Sequence, residues 1–102
     1  MLYNNKVIIG GKKKIYFIDI NSYTKEKEIN FDNSIFSIKK FKENLLMIGD
    51  DKGYISSFNI NDNELKVIKK IHNKTIYAMV KFNRKLVSGG FDKVIKFKTI
   101  EN

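Results

Sequence analysis

Ser88, His72 and Asp92 are the residue types of a hydrolytic triad: a nucleophile, its general base and an orienting carboxylate. Such chemistry needs an exposed hydroxyl, a site for the oxyanion and a pocket. Ser88 instead follows Leu86-Val87 in an apolar stretch, without the Gly-x-Ser-x-Gly turn that lifts a nucleophile clear of a sheet. The reading is therefore not that of an enzyme, and no catalytic residue is assigned.

Other tempting combinations are weaker. Gly10-Gly11-Lys12-Lys13-Lys14 has the glycines and lysines of a phosphate-binding loop but lacks its Gly-Lys-Ser/Thr ending and the helix that follows, so it reads as a hairpin turn. Asp50-Asp51 could attract a cation, yet two adjacent turn carboxylates beside Lys52 fall far short of a calcium loop. With no Cys and one His, a protein-built transition-metal site would need a carboxylate cluster that the spacing does not supply. No metal and no cofactor is expected. Tyr54, Tyr77 and Phe91 have lysines nearby, the ingredients of an aromatic and basic nucleic-acid surface. Tyr77 is expected to pack between sheets. Phe91, at a turn tip, is the expected exposed aromatic and the candidate partner contact, because binding hot spots favour rigid aromatics.

The elements that must position these residues follow from composition and pattern. A chain of 102 residues, 42% hydrophobic and 13% aromatic, can pack one domain. Its formal charge of +9 raises nucleic acid as a partner. The lysines are dispersed, however, as solvated strand faces would have them, and the Lys, Asn and Ile excess is what AT-rich coding produces. Met1 to Gly11 has no basic leader region, and Val7-Ile8-Ile9 is too short for a signal core. Runs such as Ile76 to Val80 fall well short of the roughly 20 residues of a membrane helix. An intracellular location, cytoplasmic or nuclear, is expected, and the sequon Asn73-Lys74-Thr75 is then a coincidence.

The chain repeats itself. Ile15-Tyr16-Phe17-Ile18-Asp19-Ile20, Ile55-Ser56-Ser57-Phe58-Asn59-Ile60 and Ile95-Lys96-Phe97-Lys98-Thr99-Ile100 begin 40 residues apart. Each follows an apolar run closing on glycine at Gly10, Gly49 or Gly89. Upstream of two of them, Ile35 to Phe41 matches Ile76 to Phe82. Ile76 to Phe82 is mostly apolar on both of its alternating faces, the pattern of a strand buried on both sides. Thr24 to Phe31 and Glu64 to Ile71 carry regular charge, the pattern of an exposed edge strand. Short polar turns such as Asp50-Asp51-Lys52-Gly53 separate the strands, and no segment keeps a helical period. The expected fold class is all-β, an incomplete β-propeller arc of antiparallel four-stranded blades. Its expected units are a partial blade at 1–31, a blade at 34–71 and a partial blade at 75–100, within one incomplete propeller domain over 1–102.

From His72 onward the chain resembles a WD repeat. That family places a His before the innermost strand, Ser-Gly at the close of the second strand, an Asp in the next turn and Trp-Asp at the close of the third. Here His72, Ser88-Gly89 and Asp92 stand in those places, while Lys98-Thr99 replaces Trp-Asp. The resemblance implies that His72, Ser88 and Asp92 form a structural hydrogen-bonded network, without its fourth member. In the preceding unit Phe31 is aligned with His72, Ile48 with Ser88 and Lys52 with Asp92, so little polar network is expected there. The first unit has Ile9 in the Ser place and Ile18-Asp19 in the Trp-Asp place.

The resemblance also implies a scaffold that binds a protein or peptide partner. An RNA- or ribonucleoprotein-associated propeller using the basic surface is the alternative. Because a closed ring needs roughly four blades or more, the ends of this chain are expected to expose apolar faces. It is expected to self-associate or to require further blades.

Overall fold

The computed structural model of the chain describes residues 1–100; Glu101 and Asn102, included in the domain by the sequence reading, lie outside the described residues. Among the described residues, eleven strands form three antiparallel sheets. The first sheet holds β1 (Leu2–Tyr3), β2 (Lys6–Gly11), β3 (Lys14–Asp19) and β4 (Thr24–Asn30), in that order. The second holds β5 (Ile35–Lys42), β6 (Leu45–Asp50), β7 (Tyr54–Asn59) and β8 (Glu64–Lys70). The third holds β9 (Ile76–Phe82), β10 (Lys85–Gly90) and β11 (Ile95–Thr99). Neighbours in each sheet are neighbours in sequence, so every connection within a sheet is a hairpin.

The inner hairpin of each sheet turns on an asparagine. Asn4, Asn44 and Asn83 have φ of 53°, 64° and 56°, a left-handed conformation that Asn tolerates better than most residues. The cross-strand partners Tyr3 and Lys6, Lys42 and Leu45, and Phe82 and Lys85 close these turns over two residues. The Gly10 to Lys14 segment is also a hairpin: Gly11 pairs with Lys14 across Lys12-Lys13, with Lys13 at φ 59°.

Two cores lie between the sheets. Ile8, Ile15 and Phe17 of the first sheet meet Ile35, Leu46, Ile48 and Phe58 of the second. Met47, Ile55 and Phe41, with side chains on the opposite face of the second sheet, meet Ile76, Met79 and Leu86 of the third. Alternation along each strand thus lets the middle sheet bury both faces. The outer strands, β4 of the first sheet and β8 of the second, carry the regular charge and are mostly exposed. Lys27 on β4 is an exception. Its ammonium lies 4.5 Å from the Phe17 ring centre and 5.8 Å from that of Phe58, and it donates to Asn63 Oδ1 at 2.7 Å. Burial, its first cause, pulls its pKa below the usual lysine value.

One expectation fails at β9. Its residues Tyr77, Val80 and Phe82 are exposed, although the pattern reads as a strand buried on both faces. The second sheet covers one face of the third, and among the described residues nothing covers the other.

Candidate functional site

His72 lies between β8 and β9, Ser88 on β10 and Asp92 in the turn from β10 to β11. Their side chains meet. His72 Nδ1 lies 3.0 Å from Asp92 Oδ1, and Nε2 lies 2.9 Å from Ser88 Oγ. An ionised Asp92 can only accept, so Nδ1 carries the proton. In the neutral ring Nε2 is then the acceptor, and the Ser88 hydroxyl donates to it. Asp92 also accepts the backbone N–H of Asn73 at Oδ2, 3.0 Å, and that of Val94 at Oδ1, 3.2 Å. The Asn73 N–H is the main cause that holds the Asp92 carboxyl below the ordinary carboxylate range; burial opposes it, and His72 and the Val94 N–H reinforce it.

Two glycines make this arrangement possible. At Gly90 a Cβ would come within 2.6 Å of His72 Nδ1 and 2.7 Å of Asp92 Oδ1, so any side chain there collides with the bond between them. Gly53, in the second sheet's turn, has φ +87°, and a Cβ on it would strike the His72 carbonyl oxygen. The Gly53 carbonyl accepts the N–H groups of Ile71 at 2.9 Å and His72 at 3.2 Å. The cluster therefore pins the connection between the second and third sheets at both ends. Neither glycine stands out in the sequence as a site residue. The signal that could have found them is position: each sits in a tight turn two residues or so from an aspartate.

The connectivity from Asp92 through His72 to Ser88 is that of a hydrolytic triad, but the surroundings are not. Ser88 is 1% exposed, His72 is 2% exposed, and the Ser88 hydroxyl is occupied by the imidazole. A substrate carbonyl cannot approach an oxygen so enclosed. What this arrangement can do is hold a turn to a strand. Lys98 and Thr99, in the place of Trp-Asp, stand opposite Leu86 and Lys85 and are not among the partners of His72, Ser88 or Asp92.

The second sheet departs from the expectation of a unit with little polar network. Asp50 is buried, and its Oδ1 accepts the N–H groups of Lys52 and Tyr54, both at 2.9 Å. Its Oδ2 accepts from the Asn33 side-chain amide at 3.0 Å. Asp51 Oδ1 accepts the Ser34 N–H at 3.1 Å. Here the paired aspartates cap a turn and reach the preceding connection, as Asp92 does in the third sheet. The alignment of Phe31 with His72 also needs correction. The Phe31 N–H donates to Lys13 O as the Ile71 N–H donates to Gly53 O, so Phe31 corresponds to Ile71 and Asp32 to His72. The connection from β8 to β9 is one residue longer than that from β4 to β5, and counting back from the inner strand misplaces the match. Asp32 is exposed, and Asn33 turns inward in its stead.

Phe91 is exposed, and its ring stacks on Tyr77, with centroids 5.2 Å apart and planes inclined by 25°. The two lie at the end of the uncovered face of the third sheet, so Tyr77 does not pack between sheets. Tyr23, in the turn from β3 to β4, is the more exposed aromatic at 86%. Among the described residues no three His, Asp or Glu side chains gather as a metal site, and no helix is long and apolar enough to cross a membrane.

No family model and no curated protein sequence matches the chain. Solved structures do. The computationally designed Ika4 protein superposes with a TM-score of 0.81 at 20% identity, covering 99% of this chain and 64% of that one. A chain of the mitotic checkpoint complex gives a TM-score of 0.82 at 14% identity, covering 98% of this chain and 35% of that one. Sqt1 of Saccharomyces cerevisiae gives 0.76 at 17% identity, covering 96% and 29%. The chain thus spans between 29% and 64% of the lengths of these three chains. At such identities the likeness is one of fold, that of a β-propeller arc.

Proposed function

We propose that this chain is a WD-repeat propeller segment that works as a protein-interaction scaffold inside the cell, with units at 1–31, 34–71 and 75–100. The observation that carries the reading is the His72, Ser88 and Asp92 cluster. Its residue types and places are those of the WD repeat, and its burial suits it to hold loops in place instead of transforming a substrate. The site is therefore structural and the activity is recognition. The propellers of the mitotic checkpoint complex and Sqt1 support the fold on which this rests.

The partner contact is Phe91, stacked on Tyr77. Such a stack offers a large, rigid and half-polar surface at little entropic cost. The test is quantitative cross-linking of cell extract to the wild-type chain and to Phe91→Ser, scored by enrichment of each captured protein. A protein captured by the first and lost about tenfold with the second supports the scaffold reading. A capture set dominated by RNA, lost between about 50 and 200 mM salt and indifferent to Phe91→Ser, refutes it.

A further inference from the structure

Inner hairpins and glycine turns lie at opposite ends of the sheets. Lys42 pairs with Leu45 at one end of the second sheet and Ile35 with Asp50 at the other; in the third, Phe82 pairs with Lys85 and Ile76 with Gly90. Charge is unevenly divided between these ends. At the glycine-turn end Asp32, Asp50, Asp51 and Asp92 stand among the lysines. At the hairpin end Lys39, Lys40 and Lys42 are matched only by Glu43, and Lys81, Arg84 and Lys85 by no acid within their hairpin. Residues 39–43 and 81–85 thus carry +5 of the chain's formal +9. The aspartates at this end, Asp19 and Asp62, belong to the outer turns before β4 and β8, where they accept backbone N–H groups. On β4, by contrast, Glu26 and Glu28 take Lys6, Lys14 and Lys25.

The fold gathers these cations because β5 and β9 are the inner strands of adjacent sheets, where the Ser37 hydroxyl donates to Ile76 O at 3.1 Å. Two of the lysines hold neighbouring sheets. Lys40 sits 5.2 Å from the Tyr3 ring centre and pairs with Glu43 at 3.2 Å. Lys81 donates to Phe41 O, its ammonium 4.8 Å from the Phe41 ring centre. Lys39, Lys42, Arg84 and Lys85 form no ion pair among the described residues. The second sheet has a neighbour on each side, yet Lys39 and Lys42 are exposed.

We propose that these two hairpins together hold an acidic segment of a protein partner, a run rich in Asp and Glu. That the partner is a protein rests on the scaffold reading; the place does not, since Phe91 lies at the glycine-turn end. A nucleic acid strand would use rings to stack on as well as cations. Tyr3 and Phe41, the rings beside these lysines, are buried, and Phe82, alternating with Lys81, turns to the far face of the third sheet. Carboxylates need only the ammonium and guanidinium groups.

Fluorescence anisotropy of a labelled octaglutamate peptide, titrated with the full chain in about 50 mM salt, tests this. The wild type should bind it, with affinity falling as salt rises. Lys39→Glu with Lys42→Glu, and Lys42→Glu with Arg84→Glu, should each weaken binding about tenfold. Lys12→Glu with Lys13→Glu makes the same change of net charge at the other end and should alter affinity by less than about twofold. All five positions are exposed, so each variant should keep the wild-type far-ultraviolet circular dichroism. The same titration with octauridylate separates the two ligand classes. Absence of octaglutamate binding, or a Lys12 and Lys13 variant that loses as much as the hairpin variants, overturns the acidic-segment site and leaves Phe91-dependent capture as the separate test of the scaffold. Octauridylate bound more tightly than octaglutamate overturns both.

Discussion

Replacing Gly90 by Ala tests whether the buried polar cluster is a tuned arrangement or a chance meeting of side chains. The added methyl would lie 2.6 Å from His72 Nδ1, 2.7 Å from Asp92 Oδ1 and 2.8 Å from His72 Cγ, all well inside contact distance. It cannot be accommodated while the two groups remain bonded. Because the His72 backbone is held by Gly53, the imidazole must rotate away, leaving the Ser88 hydroxyl buried and without its partner. An unsatisfied buried group costs about 1–3 kcal/mol. Against this, an Ala for Gly gains about 0.4–1 kcal/mol through the unfolded chain. A net loss of about 1–2 kcal/mol is expected, on the scale of these two principles.

Gly11 is the internal control. It closes β2 as Gly90 closes β10, but a Cβ there meets nothing nearer than Tyr16 at 3.6 Å. Gly11→Ala should therefore be neutral or slightly stabilising. Urea unfolding at one fixed protein concentration gives both values, the fixed concentration removing any contribution from association. The double variant Gly90→Ala with His72→Ala sharpens the test, since without the imidazole the methyl has room. Its loss should fall short of the sum of the singles by about 1 kcal/mol. Equal effects at Gly11 and Gly90, or strict additivity in the cycle, would refute the reasoning.

Two further outcomes follow from the same hydrogen bonds. The pKa of Asp92 is lowered on folding, so the stability it contributes is present above its unfolded pKa and is lost as pH falls through the folded one. The stability difference between the wild type and Asp92→Asn should then be constant near neutral pH and shrink below about pH 4. A difference that grows on acidification would reverse the assignment, and the comparison isolates Asp92 because Asp19, Glu28 and Glu43, whose values are also lowered, are common to both proteins. Asp50→Ala should cost about 1–3 kcal/mol, as it removes the acceptor for Lys52 and Tyr54 N–H groups and for Asn33; denaturant unfolding matching the wild type would show that the second sheet does not rely on this cap.

How much of this could be read from residues alone depended on whether the signal was periodic. Strand order and outer edges were legible because apolar alternation and charge recur at the repeat length, and Thr24–Asn30 and Glu64–Lys70 do form the outer strands. The meeting of His72, Ser88 and Asp92 was legible through the resemblance to a WD repeat, although a resemblance carries no distances. What stayed hidden was aperiodic. The one-residue difference between the two inter-sheet connections moved the apparent partner of His72 from Asp32 to Phe31. The Asp50 cap was hidden because its carboxylate stands at the position of Gly90, two places earlier in the repeat than Asp92. A turn can be capped from either place, since an aspartate side chain bonds backbone N–H groups two residues on from wherever it sits.

That freedom explains how sheets of one architecture can be held by different side chains. The third sheet ties its turn to the preceding connection through His72, Ser88 and Asp92. The second makes the same tie with Asn33 and Asp50, placing Ile48 where Ser88 stands and filling the space with apolar contacts to Phe58 and its neighbours. Both connections also share a backbone bond to the turn of the sheet they leave, from the Phe31 N–H to Lys13 O and from the Ile71 N–H to Gly53 O. Two side-chain chemistries thus satisfy one requirement, that the segment entering the inner strand be fixed against the turn beside it. A function of recognition tolerates this variation, because a partner meets the loops and not the means by which they are held. A function of catalysis would not, since it needs one set of groups in one geometry. The variety of ties within a single chain is therefore an argument for the positional role of His72 and Ser88 in the scaffold reading we propose, in which recognition falls to exposed aromatics such as Phe91, Tyr77 and Phe36.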